Sequence, residues 1–258
     1  LGSFHAGGYA KRRDTLPMPC TRTLIEHAYA QLRDDIVTGA LEPGEKLRVE
    51  HLKARYGVSA GTLREAITRL ASDALVVTEG QRGFRVAPIA TEDLEDITSL
   101  RVQIETTALR QSMRAGGPQW RQRVEQAYAA ISAEEPIAPG RRSHWERLNT
   151  RFHEALLSGH DSPWTLRVLR QLSRHTERYR SFAMALPGAV RDVHAEHTEI
   201  FHYALAGQDA RAALALEAHI RTTPDLLIAA LREGRAILPS HEGSPSSAAG
   251  GRNFLQKA

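Results

Sequence analysis

Apolar positions recur every three to four residues along most of the chain, in short stretches before residue 88 and longer ones after residue 91. The first stretch, Thr23–Leu41, predicts a helix with Leu24, Ala28, Leu32 and Ile36 on one side, followed by a Glu42-Pro43-Gly44 turn. A short helix, Val49–Tyr56, turns Leu52 and Tyr56 inward. Gly57-Val58-Ser59 then makes a turn in which Ser59 is placed to N-cap the next helix, because its hydroxyl can accept from an orphan amide of the first turn. That helix buries Leu63, Ala66, Ile67 and Leu70, and its opposite face carries Ala60, Gly61, Arg64 and Thr68, which are short or positively charged. Leu75-Val76-Val77-Thr78 and Phe84-Arg85-Val86 read as two strands joined by the turn Gly80-Gln81-Arg82-Gly83.

From Thr91 to about Gly234 the period is helical throughout. Thr91 reads as an N-cap, with Glu92 and Asp93 opposing the helix dipole, and Leu94, Ile97, Leu100, Ile104 and Ala108 form the inward stripe. Gly116-Gly117-Pro118 ends that helix and begins one lined by Trp120, Val124, Tyr128 and Ile131, which stops before Pro136. A third spans Arg142–Leu157, with Trp145, Leu148, Phe152 and Leu156 inward. Ser162-Pro163 opens a fourth carrying Val168, Leu172 and Tyr179. A fifth covers Ala189–Ala206, and a sixth begins near Gln208-Asp209, with Pro224 expected to kink or end it. The expected organisation is mainly α: a disordered arm at 1–20, a winged helix-turn-helix at 21–88, an all-α bundle at 91–235 and a disordered tail at 236–258.

A helix with a polar leading edge followed by a basic hairpin has the anatomy of a winged helix-turn-helix. Its helix fits the major groove of double-stranded DNA, where base edges are distinguishable, and its wing reaches the neighbouring minor groove. Arg48, Ser59, Gly61, Thr62, Arg64, Thr68, Arg82 and Gly83 are the residues expected to meet DNA. A recognition helix this short reads few base pairs, so a homodimer on a palindromic operator is expected.

The helical half carries a second chemistry. Asn149 and His153 share a helical face at i, i+4; His197 lies in the apolar stripe Val193–His197–Ile200–Ala204, and His219 sits one turn after Ala215 and Leu216. Three imidazoles and one amide oxygen converging from three helices suit a divalent transition metal, zinc, nickel or manganese, with positions left open for water or a ligand. Spacing alone equally allows hydrogen-bonded core histidines. His194 and His202 are expected to face outward or to stand behind the ligands. Arg101 and Glu105, also at i, i+4, fit either a surface ion pair or an inward guanidinium that clamps a carboxylate effector.

Composition narrows this picture without changing it. At 258 residues with 41% hydrophobic content, two cored domains are expected. No apolar run approaches the roughly 20 residues of a membrane span. Without a visible secretory signal, the chain is expected in the cytoplasm. The single cysteine, Cys20, excludes an internal disulfide framework and a thiolate zinc cluster, and a net charge of +4 permits nucleic-acid binding without arguing for it.

The stretch Gly57–Val86 resembles the GntR transcription regulators at Gly57, Val58, Ser59, Arg64, Glu65, Ala66, Leu70, Leu75, Val76, Arg82, Gly83 and Val86. It departs at Ala60, where the family usually has Arg, and at Ala74, where it usually has Gly. The half from Thr91 to Leu231 resembles the FCD domain, the effector-binding partner in one GntR subfamily, most clearly in RGFRVAPIATEDLEDITSLRVQIE, FHEAL and the pattern from His197 to Ile220. The resemblance implies a ligand-responsive, non-enzymatic regulator and a metal site at Asn149, His153, His197 and His219, where the family usually has Asp in place of Asn149. It also places Arg101 in the R-x-x-x-E segment that opens such domains. Two rival readings are a metal-dependent hydrolase, which lacks an evident general base beside the histidines, and a ligand-free architectural DNA binder.

Overall fold

The computed structural model describes residues 23–184 and 191–233, so the expected arm at 1–20 and tail at 236–258 lie outside the described residues. Helix α1 (Leu24–Thr38) begins at Thr23, whose hydroxyl accepts from the Glu26 amide while the Glu26 carboxylate accepts from the Thr23 amide. These reciprocal bonds satisfy two donors that a helix start leaves open. Ala28, Leu32 and Ile36 pack against α3 as the periodicity requires, but Leu24, in the opening turn, stands 69% exposed.

A two-residue strand, β1 (Lys46–Leu47), precedes α2 (Val49–Tyr56) and α3 (Ala60–Ser72); strands β2 (Val76–Thr78) and β3 (Phe84–Val86) follow. The sheet is antiparallel in the order β1-β3-β2. β1 escaped the sequence pattern because two residues are too few to show alternation. Leu32, Ile36, Leu63, Ile67, Leu70, Leu75 and Val86 form one closed core. The Gly-Val-Ser turn works because Gly57 takes a left-handed backbone at φ +63°. Ala74, at φ +53°, is the one non-glycine with positive φ among the described residues, which accounts physically for the glycine usual at that position.

Six helices complete the described chain: α4 (Thr91–Ala115), α5 (Pro118–Ser132), α6 (Arg142–Leu157), α7 (Pro163–Met184), α8 (Val193–Leu205) and α9 (Asp209–Arg232). Trp120, Val124, Trp145, Phe152, Leu156, Ile200 and Leu216 share their core. Four expectations need correction. Thr91 is the first helical residue and not the cap; Ala90 holds the cap position and no side chain bonds there. The buried face of α4 runs through Leu94, Thr98, Arg101, Val102, Glu105, Ala108 and Leu109, leaving Leu100 40% exposed. α4 meets α6, α7 and α9, so its inner face is too wide for an apolar stripe alone and takes in polar residues. On α7, Val168 is exposed while Leu169 is buried. α8 starts at Val193, because Asp192 accepts from the Ala195 amide and ends the non-helical lead-in there; the expected start at Ala189 lies outside the described residues.

Pro224 neither ends α9 nor stops its packing. An interior proline costs roughly 3 kcal/mol. Beyond it Leu227 and Ile228 are buried against Leu94, Tyr179 and Ala183, and each such side chain contributes roughly 1.5–3 kcal/mol, enough to offset that cost.

The two cores meet along α7. Arg33 of α1 pairs with Glu177, Arg174 donates to Asp73 at 2.9 Å, and Arg178 donates to the carbonyls of Ala87 (2.6 Å) and Pro88 (2.9 Å). Among the described residues, no helix is long and apolar enough to cross a membrane.

Candidate functional site

The surface expected to meet DNA is built by α3 and the hairpin. Ser59 accepts from the Thr62 amide at 3.1 Å, and its hydroxyl lies 2.9 Å from that of Thr62, which fixes the first turn of α3. Gly61, Arg64 and Thr68 are exposed along the outer face, with the Thr68 hydroxyl donating back to the Arg64 carbonyl at 2.9 Å. Arg48 stands exposed at the start of α2, and Arg82 is exposed beside Gly83 in the tight turn between β2 and β3. Neighbouring cations are already engaged: Arg55 with Asp35, Arg69 with Glu65, Arg85 with Glu79 and the Gly44 carbonyl. The guanidiniums of Arg48, Arg64 and Arg82 make no hydrogen bond or ion pair among the described residues, which leaves them for phosphates and base edges.

In the bundle, α6 supplies Asn149 and His153, α8 His197 and α9 His219. One ring nitrogen from each histidine lies within 4.8 Å of the other two. Behind each ring stands a carboxylate on its Nδ1: Glu105 3.2 Å from His153, Glu135 2.8 Å from His197, Glu196 2.8 Å from His219. An ionised carboxylate only accepts, so each Nδ1 carries the proton and each Nε2 presents a bare lone pair. Arg191 also approaches His219 Nδ1, at 3.1 Å, but its Nη2 finds an acceptor in the His219 carbonyl at 2.9 Å.

The consequence is a set of facing acceptors. His153 Nε2 and His219 Nε2 are 3.2 Å apart, while His197 Nε2 and Asn149 Oδ1 are buried without a hydrogen-bond partner. Burial pushes the His153 imidazolium below its ordinary range despite Glu105, and burial among the other two histidines and Arg191 pushes His219 well below. Neutral rings therefore leave no proton to bridge the 3.2 Å gap. Two nitrogens at bond lengths of about 2.0–2.1 Å on one tetrahedral ion stand roughly 3.3 Å apart, so the donor set fits a divalent cation.

The flanking charges are strongly held. Burial works against the Glu105 carboxylate, but Arg101 and His153 pull it down to about 2. Arg101 donates from Nε to Glu105 at 2.7 Å and from Nη1 to Thr176 at 3.2 Å, so the surface ion pair allowed by spacing is instead a buried one. The Trp145 indole N–H donates to Glu135 at 2.9 Å, and with His197 it holds that carboxyl below its ordinary range against the effect of burial. Arg180 pairs with Glu146, and Arg191 with Glu196 and Thr223. His194 is half-exposed, 3.4 Å from Glu135 at the rear, and His202 points outward.

Sequence periodicity found the four inward donors and left Arg101 open between a surface pair and an inward one. It missed Glu135, Glu196, Arg180 and Arg191. Glu135 sits in the turn after α5, and Glu196 precedes His197, off the buried stripe. The one signal available was chemical: an inward histidine that binds metal needs an acceptor for its other nitrogen.

A winged helix with free cations, joined to a helical bundle with an enclosed polar site, is the architecture of a DNA-binding regulator. The chain matches the bacterial regulatory proteins of the gntR family over residues 24–86 and the FCD domain over residues 96–222. It is 39% identical over 227 residues to the HTH-type transcriptional regulator BphR of Paraburkholderia xenovorans, covering 86% of this chain and 93% of that one. It is 29% identical over 200 residues to the HTH-type transcriptional repressor GlaR of Escherichia coli, covering 75% and 91% respectively. The solved structure of Escherichia coli McbR/YncC superposes with a TM-score of 0.65 at 18% identity, over 82% of this chain and all of that one, a likeness of fold alone. The chain belongs to the GntR family of transcriptional regulators, in the branch that carries an FCD domain. These are regulators and not enzymes, which removes the hydrolase reading; the carboxylates near the histidines are occupied in orienting them.

Proposed function

We propose that this regulator binds a palindromic operator as a homodimer in the cytoplasm, and that its DNA affinity responds to a small carboxylate held beside a bound divalent transition metal. The winged unit, about 21–88, reads the operator through Arg64 and Arg82, with Arg48, Ser59, Gly61, Thr62, Thr68 and Gly83 positioning it. The bundle, about 91–235, senses. Asn149, His153, His197 and His219 would hold zinc, nickel or manganese, and the ion would supply a Lewis-acid anchor for an anionic oxygen. Asn149 contributes a neutral oxygen, so Asn149→Asp should tighten metal binding. The observation that carries the reading is the convergence of three Nε2 lone pairs whose Nδ1 protons are all fixed by carboxylates. Arg101 lines a cavity of about 30 Å³ beside His153 and His219 and would face the effector's carboxylate.

The test selects an operator from random duplex DNA and measures binding by fluorescence anisotropy, with zinc-loaded and chelator-treated protein, against a panel of carboxylates. Footprinting on the selected operator should protect two half-sites about one helical turn or a multiple apart. At least one carboxylate should change operator affinity by tenfold or more, about 1.4 kcal/mol of coupling, in zinc-loaded protein only. Equal operator affinity across all these conditions would leave a DNA binder without a sensor.

A further inference from the structure

We propose that the effector is a monocarboxylate bearing an apolar body at least the size of one six-membered ring, and that this body sits in the cavity between the Glu135–Ile137 turn and the start of α8. The inference rests on the carboxylate reading above and deepens it. The space directly beside the histidines is about 30 Å³, room for roughly one water or one end of a carboxylate, and too small for an organic skeleton. Whatever is sensed must extend elsewhere.

That space adjoins two others: one of about 30 Å³ on the side of Glu105 and Arg170, again too small for an organic skeleton, and a much larger one. Trp145, Arg180, Arg191 and Thr223 line both the small space and a neighbouring cavity of about 620 Å³. Cavities of several hundred Å³ enclose molecules larger than two- or three-carbon acids. The far walls carry Pro136, Ile137 and Val193, and Trp145 presents a flat indole held in place by its bond to Glu135. These surfaces suit an apolar ring.

Charge bears on how many anionic groups the ligand carries. Arg180 and Arg191, the guanidiniums among the larger cavity's described lining residues, also line the small space beside the histidines, which puts the cations at the neck. Beyond the neck the carboxylates among the described lining residues are Glu135 and Asp192; Glu135 faces His197, Trp145 and His194, and the Asp192 carboxylate caps α8. A second carboxylate at that end would lie against two like charges, which disfavours diacids. His194, also on that wall, is half-exposed and stands 3.4 Å from Glu135.

The experiment is calorimetric titration of the zinc-loaded protein with propionate, succinate and 3-phenylpropionate, which share a short chain and differ in their far end. 3-Phenylpropionate should bind at least tenfold more tightly than either of the others. Ile137→Trp, which fills the larger cavity, should abolish that preference; Val193→Trp fills it from the opposite wall and serves if the first variant fails to fold. Succinate or propionate binding as tightly as 3-phenylpropionate overturns the inference, as does a ring preference that survives a folded cavity-filling variant. Zinc-dependent binding of all three acids with equal affinity would sink the inference alone. Binding of none would remove the carboxylate reading beneath it.

Discussion

Glu105→Gln isolates the charge that stands behind the histidine cluster. Gln is nearly isosteric and keeps an acceptor for Arg101, but it leaves that guanidinium buried without its counter-charge. The side chains of Arg101 and Glu105 are only 9% and 2% exposed, so water cannot substitute. Two routes give the magnitude. A carboxyl held at about 2 in place of its ordinary 4.5 carries roughly 3 kcal/mol of stabilisation at neutral pH. Breaking a buried ion pair independently costs about 3–5 kcal/mol. Gln retains part of the hydrogen bonding, so the lower figure applies, and for a domain of this size it corresponds to a melting temperature lower by roughly 6–12 °C. The same carboxylate orients His153, and loss of such a partner weakens metal binding by about 10–100-fold. Scanning calorimetry of metal-free protein and competitive zinc titration measure the two effects separately. Arg101→Met in the Glu105→Gln background should recover part of the lost stability, because it removes the stranded cation. A fall below 2 °C with zinc affinity within threefold of the native protein would refute both the ion-pair reasoning and the orienting role.

Arg64→Ala and Arg82→Ala should each weaken operator binding by about 1–3 kcal/mol where the side chain reads a base, with log affinity falling linearly with log salt; an unchanged affinity in the double variant would sink the assignment. Zinc should be retained to lower pH than ordinary imidazoles allow, because burial holds His153 and His219 below their ordinary value of 6.5 and protons compete for them late. For the same reason the metal-free fold should lose stability as pH falls from about 6.5, where the unfolded chain takes up protons that the folded one refuses; a zinc-release midpoint at or above 6.5 contradicts this. Arg178→Met should leave carboxylate binding in place and diminish its effect on operator affinity, and an undiminished effect in titrations of the two ligands together would count against α7 as the link.

The legible parts of this fold are those where one face is apolar and the other is wet. α6 begins and ends as its spacing predicts, because Trp145, Leu148, Phe152 and Leu156 mark one continuous stripe, and Asn149 and His153 could be placed on that face by phase alone. The rule weakens where a helix is surrounded. In α4 the buried face includes Thr98, Arg101, Glu105 and Ser112, whose bonds to neighbours stand in for hydrophobicity, and so the stripe drawn through Leu100 was misplaced. Pro224 misled for a related reason: local backbone chemistry argued for a break, and packing of Leu227 and Ile228 outweighed it. The carboxylates behind the histidines were unreadable because their positions depend on where separate elements meet, Glu135 from a turn and Glu196 from the flank of α8.

α7 borders both the histidine cluster and the DNA-binding unit, and under the proposed function it is the element that would link them. Thr176 accepts from Arg101 on the side of the histidine cluster, and Arg180, one turn on, lies at the neck of the larger cavity. Between them in sequence, and therefore on another side of the same helix, Glu177 holds Arg33 of α1 and Arg178 holds the carbonyls just beyond β3. Hydrogen bonding makes a helix of this length stiff, so movement of residues 176 and 180 is shared by 177 and 178 within the same turn. A ligand shifts such an element only to the extent that it interacts differently with its two positions. The proposed anion at the neck would do so by drawing on Arg180 and Arg191, cations otherwise committed to Glu146 and Glu196. Arg178 ties the four residues between Val86 and Thr91 to the bundle, and under the proposed function that attachment would carry a rearrangement at the neck to the half-site spacing on DNA.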